Sequence, residues 1–378
     1  MRILHTSDWH LGRSFHREDL LAAQAAFVDH LVGTVRAERV DCVVVSGDVY
    51  DRALPGVEAV KLADETLARL AALDVRVVVI AGNHDSTRRL GFGSALMDAA
   101  GVHVRTDFAT VGDPVLVDGV AFYGIPYLEP ELVRAPWELD ERGHAAALTA
   151  AMRRVRADLA TRPGTRSVVL AHAFVTGGEA SDSERDITVG GAASVPAGVF
   201  DGVDYVALGH LHGRQAMTDR VRYSGSPLAY SFSEARHVKG SWLVDLGADG
   251  SVAAEFVEAP VPRRLGRLTG TLDDLLSNDE FTDHEDRWVQ ITLTDADRPS
   301  GAMEKLRRRF PHTLVLGYEP RGGDDRPVRT FAERHREKTA LDLAADFVAE
   351  VTGSAADPAE RALLDEAFGD VRRKEARA

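Results

Sequence analysis

Five runs of apolar residues each end in a short motif of His, Asp or Asn, and no other feature limits the possible fold as strongly. RILHTS leads into Asp8-Trp9-His10, DCVVVS into Gly47-Asp48, and RVVVIA into Gly82-Asn83-His84-Asp85. RSVVLA leads into His172, and DYVAL into Gly209-His210-Leu211-His212. Short runs rich in Val, Ile and Leu read as strands covered on both faces. Each motif then falls at the C-terminal end of a strand, the edge of an open α/β sheet where ligands gather. Five polar tips on one edge can meet in space although more than two hundred residues separate the first from the last.

The donor types point to metal. Carboxylate, imidazole and amide oxygen together suit Mn, Fe, Zn or Co better than Ca or a thiolate-held structural Zn. The candidate ligands are Asp8, His10, Asp48, Asn83, His172, His210 and His212. Asp8 and His10 are two apart, so on a strand they share a face, and His210 and His212 repeat that spacing. Seven ligands are too many for one ion but fit two ions with a shared carboxylate. Two such ions, about 3.5–4 Å apart, clamp the attacking and leaving oxygens of a phosphoryl displacement. Any one of these histidines alone reads as an ordinary core or surface residue; all five motifs doing so requires five coincidences. Gly47, Gly82 and Gly209 precede ligands and would permit tight turns, or are ordinary loop punctuation.

The motifs in this order resemble the calcineurin-like metallophosphoesterase superfamily. Longer stretches narrow the resemblance to SbcD-type nuclease subunits: LHTSDWHLGR, GDVYDRALP, GNHDSTRRL, AHAFVTGGEASDSERDITVGG, ALGHLHGRQ and RYSGSPLAYSFSEARHVKG. The resemblance is strong over roughly residues 1–240 and weaker beyond. It implies a two-sheet α/β sandwich with helices outside. It implies one divalent ion on Asp8, His10, Asp48 and His212 and a second on Asp48, Asn83, His172 and His210, with Asp48 bridging and Mn²⁺ as the expected metal. His84 would point away from the ions and stabilise charge or protonate the leaving oxygen, with Asp85 either orienting it or capping the turn. Arg13, Arg88 and Arg89 lie near ligand loops and would grip phosphate, or are solvated arginines. Asp51 stands where some relatives carry a histidine near the phosphate. The polar stretch 181–186 is a loop over the site or a solvent loop. His5 reads as packing. The implied activity is a Mn-dependent DNA nuclease, a 3′-to-5′ exonuclease on duplex ends and an endonuclease on single strands and hairpins, acting in DNA repair under an SbcC-type ABC ATPase. A homodimer is implied too, with Leu90, Phe92, Leu96 and Met97 as contacts unless they form an ordinary core helix.

Composition bounds the alternatives. A chain of 378 residues, 44 % hydrophobic and 28 % charged, is ordinary for a globular protein with a large core. There is no 18-residue apolar run, so no membrane span is expected. The chain enters a strand at once without a signal peptide, and Cys42 is its one cysteine, so a cytoplasmic, nucleoid-associated protein is expected. The net charge of −14 argues against a simple DNA-coating protein, which leaves a basic footprint, although metal ions at the site and a partner's surface can supply positive charge. Local basic clusters are Arg153, Arg154 and Arg156; Arg263, Arg264 and Arg267; and Arg307 to Arg309, the last being the first choice for DNA contact.

Residues 1–262 alternate strands with helix-like stretches at 20–37, 57–72 and 144–160, the pattern of an α/β core. Strands near 115–125, 204–209, 221–224 and 241–246 suggest a second sheet. Residues 263–320 read as a small α+β cap, with strands at 267–272, 288–294 and 313–319 and a helix at 303–310; the resemblance places it facing DNA. Residues 321–338 are a linker by composition. Residues 339–372 read as two helices. Leu343, Phe347 and Val351 follow helical spacing, Gly353 ends the first, Asp357-Pro358-Ala359-Glu360 caps the second, and Leu364, Phe368 and Val371 follow. Two short amphipathic helices bury their apolar faces poorly alone, so they fold back or bind a partner. The resemblance favours a partner, the coiled-coil base of the SbcC-type ATPase. Two rival functions are a small-molecule phosphodiesterase or phosphatase on the same core, opposed by the cap and tail, and a non-catalytic subunit, opposed by the intact ligand set.

Overall fold

The computed structural model describes residues 1–185, 187, 194–320, 339–352 and 355–375. The apolar runs form the middles of two six-stranded sheets. The first sheet runs Val252–Glu258, Gly240–Leu246, Arg2–Thr6, Cys42–Ser46, Arg76–Ile80, Val102–Arg105 from edge to edge. The second runs Gln215–Ala216, Val221–Tyr223, Tyr205–Gly209, Arg166–His172, Val120–Ile125, Val115–Val117. The central strands of each are parallel. Their C-terminal ends therefore lie on one edge, which is what brings the polar tips together.

The sheets face each other across a shared core. Ile3, Val44, Val78 and Ile80 of the first pack with Phe122, Val168, Leu170 and Tyr205 of the second. Helices Leu21–Ala37 and Val57–Ala71 cover the outer face of the first sheet, and His144–Leu159 covers the second. The fold is thus an α/β sandwich with helices outside. One strand departs from expectation. Gly240–Leu246 joins the first sheet, antiparallel to Arg2–Thr6, and not the second. Its sequence alternation fits either sheet; the pairing Arg2 to Asp245, reinforced by their ion pair at 3.0 Å, decides it.

A three-stranded parallel sheet follows, Leu265–Gly270, Trp288–Leu293, Thr313–Tyr318, with helices Leu272–Ser277 and Ala302–Arg309 packed on its own core of Leu268, Leu275, Ile291 and Leu306. The first strand ends at Gly270, earlier than the apolar pattern suggested, because Thr271 caps a helix by accepting the Asp274 N–H. Residues Met1–Glu319 form one compact unit. The Arg307 to Arg309 cluster is not a free basic face. Arg307 donates to the Thr313 carbonyl, Arg308 pairs with Glu304, and Arg309 is held by Glu285 and the Leu275 carbonyl.

The second unit, Pro320–Ala378, contains helices Ala340–Thr352 and Pro358–Glu375. Asp357 accepts the Ala359 and Glu360 N–H groups at 2.8 Å while Glu360 reaches back to the Asp357 N–H, a capping box. An Arg361–Asp342 ion pair at 3.1 Å ties the two helices. Phe347 nevertheless stays 66 % exposed. The linker 321–338, Gly353 and Asp186 lie outside the described residues. No described helix is long and apolar enough to cross a membrane.

Candidate metal centre

The seven expected ligands come together at the edge where both sheets end. They do so by a different route from strand alternation. Asp8 and His10 lie beyond Arg2–Thr6, and His210 and His212 lie beyond Tyr205–Gly209. Asp8, His10, Asp48 and His210 have left-handed backbone, with φ of 54°, 46°, 50° and 107°. Such residues cost about 1–3 kcal/mol each and persist where the surroundings fix them. Here the two loops brace each other: Asp8 N–H donates to the Gly47 carbonyl and His10 N–H to the Asp48 carbonyl, both at 3.0 Å. Of the three glycines, only Gly47 has positive φ. Gly82 and Gly209 serve close approach, since a Cβ on either would lie 2.1 Å from Asp48 Oδ1 or 1.9 Å from the Ser46 carbonyl.

Asp48 is central. Its Oδ2 lies 3.5 Å from His172 Nε2, 3.7 Å from His10 Nε2 and 3.9 Å from His84 Nε2, while the His84 N–H donates to its Oδ1 at 2.8 Å. Three groups, Asp8–His10–His212, His10–Asp48–His84 and Asp8–Asp48–His172, each hold ligand atoms within 4.8 Å of one another. His172 Nδ1 donates to the Ser46 carbonyl at 2.9 Å, which leaves the Nε2 lone pair facing Asn83 Oδ1 at 2.9 Å. His210 Nδ1 approaches the same oxygen at 3.2 Å.

His212 is fixed by a chain of donors. Ser183 Oγ–H donates to Glu234 at 2.5 Å, so Ser183 accepts from His212 Nδ1 at 2.5 Å, and the His212 Nε2 lone pair faces inward. Lys239 ion-pairs with Glu234 and donates to the His212 carbonyl at 2.8 Å and to Ser226. Glu184 accepts the His212 N–H at 2.7 Å. His10 Nδ1, buried and without a hydrogen bond, sits 3.9 Å from Asp51, so its Nε2 also faces inward, 3.0 Å from His212 Nε2. Two lone pairs at that distance repel, as do the His172 lone pair and Asn83 Oδ1. A cation between the members of each pair removes the repulsion. This convergence of lone pairs, with two buried carboxylates among them, fits two divalent ions.

Electrostatics agree. Burial pushes Asp8 up to about 7 against the pull of His212, and burial with Asp85 and Asp8 raises Asp48 well above the carboxylate range. Burial lowers His172 to about 3 and holds His10 and His210 low. Neutral imidazoles are the form that binds metal.

The remaining candidates separate. His84 does not point away: its Nε2 faces Asp48, and its Nδ1 donates to the Asp51 carbonyl at 2.7 Å. Asp85 does not orient His84. It accepts the Val49, Tyr50 and Gly82 N–H groups at 2.9–3.1 Å and so locks one ligand loop to the next. Arg13 donates to the Ser183 carbonyl at 3.1 Å and lies 3.7 Å from Asp51. Arg88 lines a groove of about 700 Å³ beside Asn83 and Tyr127. Arg89 donates to the Ala53 carbonyl and does not line that groove. His5 is buried with Nδ1 on Tyr205 and Nε2 on the Leu208 carbonyl, so it has no nitrogen for a metal. Sequence reasoning gave Glu234 and Lys239 no role, although both fall in the stretch 222–240 that carried the resemblance. It gave 181–186 no chemistry, yet Ser183 and Glu184 hold His212, and Arg185 lies 3.4 Å from His84 Nδ1. The available signal was the polar stretch itself, following the His172 strand.

The calcineurin-like phosphoesterase family profile matches residues 1–214. The chain belongs to that family. The SbcD C-terminal domain profile, described as the type 5 capsule protein repressor C-terminal domain, matches residues 261–371. Similar solved structures include a protein from Thermus thermophilus, 12 % identical, covering 68 % of this chain and 98 % of its own, with a TM-score of 0.39. A dimetal phosphatase from Danio rerio is 15 % identical, with 65 % and 92 % covered and a TM-score of 0.39. The protein is thus a metallophosphoesterase that also carries a C-terminal region matching the SbcD C-terminal domain, with clustered residues suited to divalent metal and a helical tail.

Proposed function

We propose that this metallophosphoesterase is a Mn²⁺-dependent DNA nuclease, cutting duplex ends 3′-to-5′ and opening single strands and hairpins, as the hydrolytic subunit beside an SbcC-type ATPase. The observation that carries the reading is the convergence of the seven candidate ligands in a chain that also matches the SbcD C-terminal domain. Asp8, His10, Asp48 and His212 would hold one ion, and Asp48, Asn83, His172 and His210 the other. Bound divalent ions supply nucleophile activation and charge neutralisation on the phosphoryl oxygens. The Ser183–Glu234–Lys239 chain keeps His212 in its ligating tautomer, and Ser46 does the same for His172. Burial lowers His84 to about 4, so it enters the cycle neutral with its proton on Nδ1. A phosphodiester's negative charge beside it raises its proton affinity. The Nε2 lone pair then takes up a proton from solvent, and the imidazolium so formed gives that proton from Nε2 to the leaving oxygen, returning to the neutral Nδ1–H ring. Arg88 and Arg185 border the approach to Asn83 and His84, where a phosphate backbone would run.

The tail helices are the segment for the ATPase partner, with Phe347 exposed for helix-in-groove docking. For the homodimer, Phe92 and Leu96 are 86 % and 82 % exposed, whereas Leu90 and Met97 pack on the core. Their exposure supports Phe92 and Leu96 as the contact.

The test is cleavage of a labelled DNA hairpin with a duplex end by purified chain and Mn²⁺, with Asp48→Ala as control. Metal-dependent cutting lost in Asp48→Ala supports the nuclease. Turnover of para-nitrophenyl phosphodiester without DNA cleavage, even with the ATPase and ATP added, refutes it in favour of a small substrate.

A further inference from the structure

A cavity of about 350 Å³ opens where the body meets the three-stranded sheet, within the size range of small-molecule sites, roughly 300–1,000 Å³. Its wall is unusual for so acidic a chain. Arg236, Lys239, Arg263, Arg264 and Arg287 line it, against two carboxylates, Glu234 and Glu258. Glu234 is already consumed by Lys239. Arg263 and Arg287 spend donors on the carbonyls of Asp286 and Asp283 and so keep their charge unneutralised. Arg236 and Arg264 are exposed and make no side-chain hydrogen bond or ion pair among the described residues. Gathering like charges around one cavity is unfavourable unless an anion sits among them. His237 adds a second sign: its Nδ1 is buried without a partner in the same wall.

The rest of the lining is apolar and aromatic. Leu20, Leu228 and Leu265 are buried parts of it. Trp288 is half-buried, packed on Phe15 with ring centroids 5.7 Å apart, and also lines the cavity. An anion alone would leave this surface unmatched, and an apolar ligand would leave the arginines unmatched. A flat aromatic group joined to a phosphate matches both. We propose that this cavity is a second ligand site, separate from the metal cluster, that takes a nucleoside monophosphate with its base against Trp288 and its phosphate on Arg236 and Arg264. The concave shape favours such a ligand over a nucleic-acid backbone, which needs an open track. The inference does not depend on the nuclease reading, because no metal ligand takes part.

The test is titration of deoxyadenosine monophosphate into the full chain in EDTA, followed by tryptophan fluorescence and calorimetry. One saturable site with Kd below about 1 mM is expected. Inorganic phosphate alone and deoxyadenosine alone should each bind at least about tenfold more weakly. Arg236→Glu with Arg264→Glu should weaken binding by at least about tenfold, and both residues are exposed, so the fold is kept. Asp48→Asn should leave it unchanged. No saturation by about 10 mM, binding indifferent to the arginine reversals, or binding lost in Asp48→Asn each overturns the proposal. So does a response to duplex DNA with none to the mononucleotide.

Discussion

Replacing Lys239 by Met tests the support of the metal centre. Lys239 and Glu234 are 3 % and 1 % exposed, so neither is solvated by water. The substitution leaves Glu234 charged, buried and without its cation. Removing one partner of such a pair costs about 3–5 kcal/mol. At an unfolding entropy of about 2.1 cal/mol/K per residue, a chain of 378 residues shifts by roughly 1.3 °C per kcal/mol, so the melting temperature should fall by about 5 °C. The loss should depend on pH. Burial works to raise the Glu234 carboxyl, but Lys239 and His212 outweigh it and hold the group below the usual range. The stability it contributes is thus present above the unfolded value of 4.5 and lost as pH falls below it. The gap between wild type and Lys239→Met should therefore close on acidification below that value. Thermal and guanidinium unfolding in EDTA read this directly. The double variant Lys239→Met/Glu234→Leu should recover most of the loss, since an apolar pair tolerates the same burial. A loss in Lys239→Met below about 1 kcal/mol, the value of an exposed pair, would refute the reasoning.

Other outcomes follow from the same geometry. Ser183→Ala removes the acceptor of the His212 Nδ1 proton and should weaken metal binding about 10–100-fold by calorimetry, with the melting temperature nearly unchanged. His84→Ala should retain metal but lower turnover of a phosphodiester by about 10²–10⁴-fold, and equal turnover would remove His84 from proton transfer. His5, lowered to about 3 chiefly by burial, stays neutral when folded but takes up a proton near 6.5 when unfolded. It therefore contributes stability above 6.5 that declines by about 1.4 kcal/mol per pH unit down to about 3. His5→Gln should flatten the pH dependence of unfolding by about one proton in that window.

The ligands were legible because two independent patterns coincided at each, a buried strand and a donor just past its end. The sandwich followed from those strands and their helices. What escaped was how the loops aim the donors. Strand alternation would bring Asp8 and His10 to one face, but left-handed residues braced by the Gly47 and Asp48 carbonyls are what turn them inward. Asp85 sits next to His84 in sequence, yet it serves the loop amides, because a buried carboxylate is satisfied by whichever N–H groups surround it. Ser183, Glu234 and Lys239 lie inside stretches that carried the family resemblance, but no donor pattern singled them out. Their roles arise only when loops about fifty residues apart fold together around His212. The strand Gly240–Leu246 could not be assigned to a sheet because its apolar alternation suits an antiparallel position in either.

The division of the ligands between two sheets bears on how the chain is born. Asp8, His10, Asp48 and Asn83 emerge early from the ribosome, and His172, His210 and His212 much later. The lysine that steadies His212 comes later still, and the strand that flanks Arg2–Thr6 follows it. A chain synthesised only as far as residue 171 therefore holds four of the seven candidate donors and completes neither expected set. The candidate site therefore takes shape only as the second sheet closes on the first, since each sheet supplies part of the donor cluster.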